Sequence, residues 1–123
     1  MRITAKVTSV FGAVSAVLVA LLVSTQPVIA ADGSAIAEGK KIAFDRAKGN
    51  CLACHAIEGG ELPGNIGPAL VDMKQRFPDK AKLRAQIWDA SHNNPNTIMP
   101  PFGRHEILTE SEIDQVVEFI YSL

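Results

Sequence analysis

Apolar positions along most of this chain recur at intervals of three and four, the spacing that gives a helix one buried side. Ser34 can cap a helix running to about Lys48, with Ile36, Ala43, Phe44 and Ala47 on its buried side and Gly49 as its stop. Gly39 and Ala43 lie four apart on that helix and leave room for close approach by another. Leu70, Met73 and Phe77 predict a short helix over 69–76, which Pro78 interrupts. Asp79 is a fair cap for a third helix reaching Ala90, with Leu83 and Ile87 on one face. Trp88 is assigned to the core, with a partner interface as the alternative. Thr109-Glu110-Ser111-Glu112 fits a capping box, followed by an apolar face of Ile113, Val116, Val117 and Ile120 with Tyr121 adjoining. No segment alternates convincingly as a strand. The pattern predicts an all-α fold of three to four helices.

The N-terminus reads differently. A short basic start with Arg2 and Lys6 precedes an apolar run from Val10 to Val23, then Gln26-Pro27-Val28-Ile29-Ala30. This is the layout of a secretory signal peptide, residues 1–30, cleaved after Ala30 or, as second choice, after Ala31. A permanent anchor is the competing reading; the run is short for a span of about 20 residues, and a plausible cleavage site follows it. What remains, 31–123, is one small domain with a slight acidic excess. A core of this size is marginal alone. No basic excess points to nucleic acid, and no membrane role is expected after cleavage.

The chemistry concentrates in Cys51-Leu52-Ala53-Cys54-His55, which holds both cysteines of the chain. Cys-x-x-Cys-His is the attachment signature of c-type haem. Two thiols one turn apart can add across the two vinyl groups of the porphyrin edge, and the next residue falls under the iron as an axial ligand. A disulfide would close a very small loop and add little stability. Structural zinc would want a second ligand pair, which is missing, and a thioredoxin-like pair expects a βαβ context. The reading is one covalent haem c, held by Cys51 and Cys54, with His55 on the iron. The buried haem would also staple a small core.

A loop with four glycines and two prolines, Glu58 to Pro68, follows the motif. Pro68 has no N–H but keeps a free carbonyl. A metal-bound histidine usually donates its other ring N–H to such an acceptor, and that role falls to Pro68; a plain turn proline is the alternative. The second axial position has four candidates, Met73, Met99, His92 and His105. Met73 fits a core stripe, and the two histidines read as partly exposed polar residues. Met99 sits in the proline-stiffened run Ile98-Met99-Pro100-Pro101-Phe102-Gly103 ahead of the last helix, and is the predicted ligand. With His55 and Met99 both bound, no coordination site stays open. A thioether raises the potential, and one-electron transfer is the chemistry left.

Residues 36–123 resemble class I cytochromes c, on the first helix, Cys-x-x-Cys-His, Gly67-Pro68, the late methionine and the C-terminal helix. Gly49 to His55, Leu62 to Pro68, Gln86 to Ala90 and Met99 to His105 are similar to the SoxX-type subunits, the monohaem partners in SoxAX cytochromes of bacterial sulfur oxidation. The resemblance implies a periplasmic class I cytochrome c fold and a heterodimer with a larger SoxA-type subunit. It implies a reaction in which thiosulfate is joined oxidatively to a cysteine of a SoxYZ-type carrier protein, an L-cysteine S-thiosulfotransferase activity. The catalytic haem would belong to the SoxA-type subunit. This chain would not be catalytic alone; it would accept electrons and pass them to a soluble acceptor. A free-standing electron shuttle is the alternative function, and a haem sensor or ligand-binding module a third class. Finally, Lys74, Arg76, Lys80, Lys82 and Arg84 cluster in the middle of the chain, and Glu106, Glu110, Glu112, Asp114 and Glu118 near its end. Such asymmetry can steer docking; ordinary solvated helix faces are the other reading.

Overall fold

A computed structural model describes residues 29–123, and the leader proposed above lies, apart from its last two residues, outside them. Four α-helices and two short 3₁₀ turns make up the described chain, and none of it is strand. None of these helices is long and apolar enough to cross a membrane.

The terminal helix α4, Glu110–Tyr121, is the backbone of the core. Its start obeys the sequence: Thr109 Oγ1 accepts from the Glu112 N–H at 3.2 Å, and Glu112 Oε2 accepts from the Thr109 N–H at 3.0 Å. Ile113, Val116, Val117 and Ile120 are buried as the periodicity predicts. Phe119, outside the predicted face, is buried too, and its ring meets Phe44 edge-to-face at 5.8 Å. Tyr121, placed beside that face, is only half-buried.

Phe44 closes helix α1, Ile29–Phe44, which packs against α4. Both predicted ends of this helix need correction. Ser34 lies inside it rather than at its cap, because the Ala-rich stretch around it extends the helix. At the other end the chain turns at Asp45, whose carboxylate accepts from the Ala47 N–H at 2.8 Å. Ala47 is thereby exposed, and the buried residue is Ile42. Gly49 serves a different purpose from a helix stop. Its N–H bonds to the Ile42 carbonyl at 3.1 Å, and a Cβ there would lie 2.8 Å from that oxygen. Gly39 lets the two helix backbones meet: a Cβ would lie 1.9 Å from the Gln115 carbonyl oxygen.

Helix α2 is shorter than predicted, Met73–Arg76. Ala69 to Asp72 run irregularly because the Leu70 N–H bonds to the Ala56 carbonyl at 2.9 Å, and Asp72 takes a left-handed φ of 53°. Helix α3, Lys80–Trp88, starts from the Asp79 cap, whose carboxylate accepts from the Ala81 N–H at 2.9 Å, and buries Leu83 and Ile87. It stops two residues early because Asp89 turns extended and caps the 3₁₀ turn Ala90–His92 through the Ser91 N–H. Trp88 is half-buried; its ring lies against Gly103 and its indole N–H donates to Glu110 at 2.9 Å.

The two charge clusters meet in part. Helices α3 and α4 lie side by side, so Lys80 pairs with Glu118 at 2.8 Å, and Arg84 with Asp114 at 2.7 Å and with Glu110. Lys74, Arg76 and Lys82 form no ion pair among the described residues.

Candidate haem site

The first wall of the site, called proximal here, grows from one unusual backbone residue. Asn50 holds a left-handed φ of 47°, which Asn tolerates better than most residues. That turn launches the 3₁₀ turn Cys51–Ala53, and the His55 N–H closes back on the Cys51 carbonyl at 2.9 Å. Both cysteines sit on the same small turn and form no disulfide. Burial pushes the Cys51 thiol up to about 11, so it is neutral at pH 7, as suits an apolar wall.

The glycine-rich loop then folds over the motif. Gly64 N–H bonds to Leu52 O at 2.7 Å, and Gly67 N–H to Cys54 O at 2.8 Å. The approach tolerates no side chain. A Cβ on Gly67 would stand 2.4 Å from His55 Cε1, and one on Gly64 2.0 Å from the Ala53 carbonyl oxygen. The next residue brings its carbonyl 2.7 Å from His55 Nδ1. A carbonyl can only accept, so Nδ1 carries the proton and Nε2 keeps its lone pair.

His55 and both cysteines line a cavity of about 550 Å³, within the range of roughly 300–1,000 Å³ of cofactor sites. A second loop, called distal here, contributes Met99, together with Thr97, Ile98 and Phe102. Its backbone is set by a turn in which Thr97 Oγ1 accepts from the Met99 N–H at 3.2 Å. Met73 also reaches the cavity, but its sulfur accepts from Arg76 Nη1 at 3.3 Å and the residue is almost fully buried. His92 and His105 are exposed and line no part of the cavity. The site thus gathers Cys51, Cys54, His55, Pro68 and Met99, has Met73 on its lining too, and leaves His92 and His105 outside. Sequence reasoning missed Asn50, Thr97 and Arg76. Thr97 had a legible signal, a hydroxyl two residues before the methionine; the others had none.

These residues fit a haem. Two thiols on one turn can hold its edge, and the imidazole Nε2 and the Met99 thioether are donors suited to its iron. The cavity is mainly apolar, while Arg46, Lys48 and Arg76 bring positive charge to it for a group that carries two carboxylates. Lys48 also pairs with Glu112, and that hydrogen bond raises its pKa further. Among the described residues no cluster of acidic, histidine and cysteine side chains offers a separate metal site.

Residues 36–123 match the cytochrome c family, so the chain belongs to that family, whose members bind haem c covalently. The fold is similar to a chain in the crystal structure of SoxXA from P. pantotrophus, at 30% identity and a TM-score of 0.63, over 70% of this chain and 79% of that one. Together these make it a SoxX-type class I cytochrome c. An uncharacterized lipoprotein of Aquifex aeolicus (strain VF5) is 33% identical over 75 residues, or 60% of this chain. The chain spans only about a third of that relative's length, 36%.

Proposed function

We propose that the protein is an exported one-electron carrier, the haem subunit of a SoxAX-type complex in the periplasm. The observation that carries this reading is the shared cavity of Cys51, Cys54, His55 and Met99. When bound there, haem supplies an Fe(III)/Fe(II) couple. The chain's own residues do the rest. Cys51 and Cys54 hold the group covalently. Pro68 holds the His55 ring and its tautomer, so that Nε2 would be a neutral donor to the iron. Met99 would supply the second protein donor and exclude exogenous ligands. With both cysteines committed, the sulfur chemistry takes place on another chain. Joining thiosulfate to a carrier cysteine releases two electrons and the thiol proton, while one haem stores one electron, so this subunit hands electrons on stepwise to a soluble acceptor.

A larger SoxA-type subunit is the partner in this reading, and a SoxYZ-type carrier meets the chain through it. Leu62, on the glycine-rich loop and off the cavity lining, is 91% exposed and offers such a partner an apolar contact. The test is a pull-down from native periplasm, followed by haem reduction with thiosulfate with and without the captured partner. Co-purification of a larger cytochrome and partner-dependent reduction are expected. A protein that purifies alone and is reduced equally well without a partner is a free-standing shuttle instead. Haem that washes out into acid-acetone would refute covalent attachment altogether.

A further inference from the structure

Residues 69–72 follow directly on the carbonyl that faces His55, and no helix or strand holds them. A single atom does much of that work. Arg76 Nη1 donates to the Ala69 carbonyl at 2.8 Å and to the Val71 carbonyl at 3.4 Å, and lies 3.3 Å from Met73 Sδ. No carboxylate among the described residues forms an ion pair with this guanidinium. Its Nη1 group donates to backbone carbonyls instead, as charge-assisted bonds that are stronger than neutral ones. Arg76 is itself anchored. Its N–H bonds to the Asp72 carbonyl at 3.1 Å, and the Met73 N–H bonds to the Leu123 carbonyl at 3.0 Å. A continuous set of bonds therefore runs from the C-terminus through α2 and Arg76 to Ala69, the residue that shares a peptide bond with Pro68.

We propose that Arg76 is a positioning residue that fixes the His55–Pro68 hydrogen bond by clamping the backbone behind Pro68. The inference rests on the reading of His55 as the haem ligand. The partner of a ligating histidine's free N–H sets ring orientation and donor strength, so the clamp would act on the haem through Pro68 and His55. The cavity position of Arg76 allows another role, pairing with a haem carboxylate, which would not involve the loop.

The experiment follows solvent exchange of the His55 Nδ1 proton by NMR in the ferrous holoprotein. Arg76→Gln should speed exchange by about tenfold or more, the scale of losing a charged hydrogen bond, with covalent haem and Met ligation retained. Lys74→Gln removes a charge from the same short helix without freeing the loop, and should exchange like the wild type. Arg76→Lys keeps the charge but not the reach to both carbonyls, and should exchange at least about threefold faster; it carries the test if the glutamine variant does not fold. Wild-type exchange in the folded Arg76 variants overturns the clamp, and so does equal acceleration in Lys74→Gln, which would show an effect of charge alone. A pyridine haemochrome on the same samples separates the two claims. A normal haemochrome with unaltered exchange sinks only the clamp, whereas a wild type without covalent haem sinks the haem reading with it.

Discussion

The two walls of the cavity are built by different means. The proximal wall is tied to its own loop: Gly64 to Leu52, Gly67 to Cys54 and Leu70 to Ala56 are backbone bonds of 2.7 to 2.9 Å between the haem-motif stretch and the glycine-rich loop that follows it. The distal wall is fastened from outside. The Gly103 N–H bonds to the Trp88 carbonyl at 3.0 Å, Arg104 pairs with Asp89 at 2.7 Å, and buried Phe102 is its apolar anchor. One wall is tied to the loop that follows the haem motif, and the other to the end of α3. Attachment of the haem and ligation of its second face should therefore fail separately.

Gly67→Val strikes the proximal wall hardest. Its side chain has no room beside the His55 ring, so covalent haem incorporation should fall by about tenfold or more, the scale of an overpacked core, as read by haemochrome per mole of protein. Met99→Ala should leave the attached haem in place, abolish the red charge-transfer band of Met-ligated ferric haem and admit CO to the ferrous form. An unchanged band would place the ligand elsewhere. Gly103→Ala acts on the distal wall through the Trp88 ring, where a Cβ would meet Cδ1 at 1.9 Å. It should cost about 1–3 kcal/mol in urea unfolding and weaken the same band, with haem incorporation close to wild type. If Gly103→Ala instead lowered incorporation as much as Gly67→Val, the two walls would not be independent.

The smallest effect is electrostatic and lies away from both walls. The Lys48 hydrogen bond, followed by the bond from the Thr109 N–H, holds the Glu112 carboxyl below the ordinary glutamate value. A depressed folded pKa means that the stabilisation is fully present above the ordinary value, about 4.3, and is lost as pH falls through the lower folded one. Glu112→Gln keeps a side chain able to cap but cannot ionise, so it should lose that stabilisation at pH 7, flatten stability against pH in the acid range and converge on the wild type below it. Thr109→Ala, which removes the other half of the box, should cost about 1 kcal/mol at any pH.

Legibility in the sequence followed the range of the interaction. Asp79 and Thr109 act on N–H groups two and three residues away, and both caps were readable. Phe119 was missed because it lies off the regular stripe and is buried only through Phe44 and the close pass at Gly39. The end of α1 was misread because a glycine just beyond it looked like a stop, while the side chain of Asp45 had already turned the chain. The charge clusters looked like two faces because nothing local says that α3 runs alongside α4.

The same division holds at the site. Thioether attachment needs two thiols and an imidazole within one turn, so Cys51 to His55 had to be contiguous and were visible as chemistry before any fold was known. Pro68 offered a carbonyl but also a plain turn; only the path of the loop over the motif puts that oxygen 2.7 Å from the ring. Likewise two methionines could have been ligands by sequence. Both line the cavity, but the tertiary structure gives the sulfur of Met73 to Arg76 and carries Met99 on a loop tied to Trp88 and Asp89. Covalent and capping chemistry acts over a turn and is written in residue order. Which distant side chain completes a metal site depends on helix packing, which residue order alone does not state.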